Sequence, residues 1–115
     1  MAKKTRNTAT HYRQGDVLVR RVESIPAGAK AEPEASRIVL AHGEVTGHAH
    51  AIAQTEARAF TFTEAGGVVR RFLEALGLGA KVKHEEHATV QLPPGFYEIV
   101  RQREYSPEEI RNVAD

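Results

Sequence analysis

Glycine and proline cut this chain into short pieces, with 9 of the former and 5 of the latter in 115 residues. That punctuation constrains the fold most. The apolar residues between the breaks come in alternating or β-branched runs of strand length, read over Asp16–Val22, Ile38–Leu40 into His42, His48–Ala53, Ala57–Thr63, Ala88–Leu92 and Phe96–Tyr105. Residues 68–76 fit helical spacing through Val68, Val69, Phe72, Leu73 and Leu76. They also fit a β-hairpin of Arg71–Leu76 with Ala80–Lys83, turned at Gly77-Leu78-Gly79. The flanking glycines and neighbouring strands favour the hairpin. Pro26 to Ser36 reads as a loop, and Pro94-Gly95 suits the centre of a type II turn.

These runs predict a mainly β fold, a single small barrel or two-sheet sandwich of about seven to nine strands. Ser106 as cap, Pro107 and Glu109 predict a short C-terminal helix over Pro107–Val113. Residues 1–13, with Lys3, Lys4 and Arg6 among small polar side chains, read as a disordered basic tail. Residues 14–115 then form one β-rich domain.

Charge and composition exclude whole classes. Lys plus Arg is 16 and Asp plus Glu is 15, so the net charge of +1 excludes a nucleic-acid binder that relies on bulk charge. There is no cysteine, which removes disulfides, thiolate metal sites and cysteine nucleophiles. No apolar run approaches the roughly 18 residues of a membrane span. The polar start lacks a secretory h-region, so the expected compartment is the cytoplasm.

Five of the 6 histidines lie between His42 and His87. On a strand, His48 and His50 share a face with Ile52, while Ala49, Ala51 and Ala53 share the other. The small alanine face calls for something bulky to pack there. Two imidazoles at this spacing, with a third from another strand, describe a divalent-metal site for Zn, Fe or Mn. His84 and His87 are the candidates for third ligand, and His42 for a fourth or an outer position. On a strand His84 and His87 would face opposite ways, so only one would join unless a bend intervenes; on a helical turn their spacing of three would place them together. Glu44, Glu85 and Glu86 are available to ligate or orient a histidine, with Glu44 and Glu86 as general-base candidates. The spacing of His84-Glu85-Glu86-His87 is one short of a zincin helix, which excludes that protease class.

Gly43 or Gly47 before His48-Ala49-His50, Glu56 after it, and the Pro93-Pro94-Gly95 turn resemble the two motifs of the cupins. In this chain His84 and His87 precede the second turn instead of following it. The resemblance implies a small β-barrel with a metal between its sheets and a small molecule bound at the metal's open position. The strings AHGEVTGHAH and HEEHATVQLPPGFYEIVRQREY also resemble small uncharacterised bacterial and phage proteins. Other readings fit the same residues. One is a non-enzymatic homo-oligomeric structural or interaction module with histidines along its interface. Another is a nucleic-acid-binding module that uses the basic tail, and a third is a pH-sensing histidine cluster.

Overall fold

The computed structural model describes residues 10–43 and 47–101. Ten strands form their regular structure: β1 (His11–Gln14), β2 (Val17–Val22), β3 (Lys30–Ala31), β4 (Arg37–His42), β5 (Ala49–Ala53), β6 (Ala57–Thr63), β7 (Val69–Ala75), β8 (Ala80–Val82), β9 (Val90–Leu92) and β10 (Gly95–Arg101). The chain is mainly β, as the punctuation predicts. The expected helix over 107–113 and its cap Ser106 lie outside the described residues. Among the described residues no helix is long and apolar enough to cross a membrane.

Six strands make one antiparallel sheet in the order β1-β2-β10-β7-β6-β3, while β4–β5 and β8–β9 are two-stranded ribbons. The ribbons meet edge to edge. Ala51 and Lys83 each donate an N–H to the other's carbonyl, at 3.0 and 2.8 Å. Strand alternation turns Val19 of β2, Leu73 of β7 and Tyr97 and Ile99 of β10 to one side. They join Leu40, Ala41 and Ile52 of the first ribbon and Val82 and Leu92 of the second in one apolar cluster. The strand pairings leave β1 and β3 at opposite ends of the large sheet. The described strands therefore do not close into the barrel expected as one of two architectures.

Three local expectations need correction. Residues 11–13, assigned to the tail, belong to β1, which pairs with β2 from His11↔Arg20 to Gln14↔Val17. Gly15-Asp16 forms the two-residue hairpin loop, and Gly15 at φ 61° meets the positive φ that a II′ turn needs at its first central residue. Alternation then sends Tyr12 inward, where its ring meets Tyr97 edge-on at 6.0 Å. Second, the loop after Pro26 contains the short strand β3, which pairs with the edge of β6.

Third, residues 69–75 are a strand, but not half of a hairpin with β8. Both edges of β7 are already taken, by β6 and by β10. The chain must leave the sheet at Gly77-Leu78-Gly79, and β8 pairs with β9 instead. Similarly, Pro94-Gly95 carries the chain from the β9 ribbon into the large sheet. Gly95 has φ 149°, far from the roughly +80° of a type II turn.

Candidate metal centre

Register on the β4–β5 ribbon decides where each histidine goes. Cross-strand partners share a face. Ala41 is opposite His50, and His42 is opposite Ala49. His50 therefore turns inward beside Ile52 and is 2% exposed. His42 is carried to the other face, with the alanines, and is exposed. The structure does not bring His42 into ring contact with the other histidines.

His48, His50, His84 and His87 do come together. Ring centroids are 4.3 Å apart for His50 and His84, 4.7 Å for His84 and His87, 5.7 Å for His50 and His87, and 5.8 Å for His48 and His84. Both His84 and His87 are in ring contact with His50, but of the two only His84 belongs to the described group whose ligand atoms converge, as the expectation of a single third ligand had it. Strand β8 ends at Val82, and residues 85–87 are bends. The period-two rule for opposite faces does not apply to a bent segment, so both rings reach His50.

Within this cluster, His48, His84 and Glu85 each offer a potential ligand atom, all within 4.8 Å of one another. Glu85 is fixed by the sheet edge. Beside the Ala51–Lys83 bridge, the N–H of Ala49 donates to Glu85 Oε1 at 3.0 Å. That bond, then the Glu85 N–H, and then the nearby His48 and His84 hold its carboxyl below the ordinary carboxylate range. Glu85 is thus ionised where a cation would need it. His48 Nδ1 is buried and has no hydrogen-bond partner among the described residues. Glu86 Oε2 lies 3.3 Å from it but outside hydrogen-bonding geometry, on an exposed side chain. The other general-base candidate, Glu44, lies outside the described residues.

The tautomers of two rings follow from their partners. Gln14 is 5% exposed. Its amide N–H groups donate to Val82 O at 2.8 Å and Ala88 O at 2.9 Å. Its Oε1 can then only accept, so His50 Nδ1, at 2.8 Å, is the donor. In the neutral ring Nε2 is the lone-pair nitrogen. It faces Asp16 Oδ1 at 3.9 Å. In His84 the order is reversed. Nδ1 accepts the Glu86 N–H at 3.0 Å, which leaves the hydrogen of the neutral ring on Nε2.

Two glycines allow the rings this close. A Cβ on Gly43 would lie 2.9 Å from His84 Nε2 and 3.0 Å from His48 Cβ. A Cβ on Gly15 would lie 3.0 Å from His87 Nε2 and 3.2 Å from His50 Cε1. Glu56, which matched the glutamate of the cupin pattern, is elsewhere. It accepts from the Lys81 N–H at 2.9 Å and its ammonium at 3.4 Å. Gln14 is the site residue that sequence reasoning missed. Its signal was the Gly-Asp pair that follows it, a hairpin loop that demands a strand on each side.

The chain belongs to a family described as a domain of unknown function (DUF8820), whose model matches residues 13–102. No curated protein and no solved structure matches the chain.

Proposed function

We propose that this member of the DUF8820 family binds a divalent transition metal, Zn, Fe or Mn, through His48, His84 and Glu85. The observation that carries the reading is the convergence of two imidazoles and one carboxylate within 4.8 Å. Tetrahedral coordination at the usual bond lengths spaces ligand atoms about 3.4 Å apart, so a small inward movement completes the set. The buried, unpartnered Nδ1 of His48 and the ionised Glu85 fit that role. Two imidazoles and a carboxylate suit these three metals without selecting one.

His50 and His87, each in tilted ring contact with His84, complete the surroundings, with His50 oriented by Gln14 as outer residues orient metal-site histidines. Three protein ligands leave a coordination position for water or a small molecule, where the bound ion would act as a Lewis acid. We read the two layers as an open variant of the cupin-like sandwich. The test is a calorimetric titration of metal-free protein with Zn²⁺, Fe²⁺ and Mn²⁺. Wild type and His42→Ala should each take up about one ion per chain, whereas His84→Ala and Glu85→Gln should lose most of it. A wild-type protein that takes up none of the three sinks the reading.

A further inference from the structure

Beside the cluster, a cavity of about 500 Å³ opens on the outer face of the β4–β5 ribbon. On the small face of β5, Ala49 and Ala51 are buried and Ala53 is exposed. Ala49, Ala51 and Ala53 line the cavity, together with Ser36, Arg37 and Lys83, and His84 and Glu85 form part of its wall. Register puts both cations on this face. Arg37 is the cross-strand partner of Ala53, and Lys83 is the bridge partner of Ala51. One therefore flanks β5 from the β4 side and the other from the β8 side.

The charges lining this cavity are Arg37, Lys83 and Glu85. Glu85 is engaged by the Ala49 N–H. Neither Arg37 nor Lys83 is in an ion pair with a described carboxylate; the paired cations are Arg20, Arg70, Arg71 and Lys81. The cavity thus carries Arg37, Lys83, whose charge also acts on the Glu56 carboxylate, and the Ser36 hydroxyl on an apolar floor.

We infer that this cavity binds a small oxyanion, a phosphate or a carboxylate, between Arg37 and Lys83. A planar guanidinium and an ammonium on opposite flanks of β5 match such a group. The alanines provide the space for it. The inference takes one element from the metal reading, that the bound anion lies next to an ion on His84 and Glu85. The two cations act whether or not that ion is present.

The experiment titrates the full chain, metal-free in EDTA, with inorganic phosphate and separately with succinate, followed by amide NMR. The expected result is saturable binding of at least one anion, with shifts centred on residues 36–37, 49–53 and 83–85. Which anion saturates distinguishes phosphate from carboxylate. Arg37→Gln and Lys83→Gln, both exposed positions, should each weaken it by roughly tenfold. Ala53→Leu should weaken it by filling the cavity. The same variants should bind Zn²⁺ like wild type. Anion shifts that never saturate, or variants that bind the anion like wild type, overturn the inference. A separate Zn²⁺ titration reads the metal proposal alone: failure there with anion binding intact removes the metal and leaves the oxyanion site.

Discussion

Gln14 and His50 are joined by a hydrogen bond of 2.8 Å in which the ring must be the donor. The amide reaches across from the first strand to tie β8, the 83–89 segment and the imidazole cluster together. Gln14→Leu removes the donor for two carbonyls and the acceptor for a buried N–H. The expected loss is about 2–4 kcal/mol of stability, measured by urea denaturation. Long-range ¹H–¹⁵N spectra of the histidines give a second reading. Wild type should show His50 protonated on Nδ1 when neutral, and the variant should show a mixture of tautomers.

Metal loading should release the Glu86 amide. His84 Nδ1 now accepts that N–H. An ion on Nδ1 displaces the bond outright. An ion on Nε2 moves the ring hydrogen to Nδ1, where it faces another donor. Either way the Glu86 amide should exchange its hydrogen faster and shift in the spectrum on adding Zn²⁺. An unmoved Glu86 signal in a Zn²⁺-loaded protein would show that His84 is not a ligand.

Glycine substitutions should separate crowding from backbone strain. At Gly43, with no positive φ, an alanine would press on His84 and His48. Gly43→Ala should lower metal affinity several-fold with a smaller effect on stability. Gly15 combines φ 61° with contact to His87 and His50, so Gly15→Ala should also cost about 1–2 kcal/mol of stability. Gly66 faces open space without a positive φ, and Gly66→Ala should change neither quantity. Parallel melting curves and Zn²⁺ titrations compare the three.

Acid should weaken the fold through Glu98. This carboxylate on β10 is 7% exposed and sits between Arg70 and Arg20. Hydrogen bonds from Arg70, then from Arg20, hold its carboxyl below the ordinary range against the opposing effect of burial. Glu32 is similarly lowered, first by Arg71. A depressed folded-state value means the stabilisation is present above the unfolded carboxyl value, about 4.3. It is lost as pH falls through the folded value. Stability measured from pH 7 to pH 3 should fall at the acid end, and Glu98→Gln should flatten that fall while lowering the plateau.

Tyr97 is fully buried and its hydroxyl donates to Pro93 O at 2.6 Å while accepting from Arg21 at 2.8 Å. Tyr97→Phe should cost about 1–2 kcal/mol, visible as a lower midpoint in chemical denaturation. A wild-type midpoint would mean that water replaces the hydroxyl at no cost.

Much of the strand content was legible because alternation and Gly-Pro breaks are local. Ala57–Thr63 is a strand as read, and His50 stands beside Ile52 as the period of two requires. The partition into sheets was not legible, because pairing partners depend on which edges are already occupied, as β7 shows. The ring contacts of both His84 and His87 with His50 depend on a bend over Glu85–His87, because the face rule holds only on a straight strand. Gln14 was hidden because its role is wholly tertiary, with partners at Val82, Ala88 and His50. The last four residues of the expected final strand, Gln102–Tyr105, lie outside the described residues.

The place of β10 has a kinetic consequence. It is the last described strand, yet it lies inside the large sheet, with β2 on one side and β7 on the other. During synthesis β2 and β7 must therefore wait with open edges until residues 95–101 have left the ribosome, because the strand that joins them does not yet exist. Closing Val22 onto Phe96 brings together distant parts of the chain, which makes folding slow. In that interval the exposed strand edges are open to pairing with other chains.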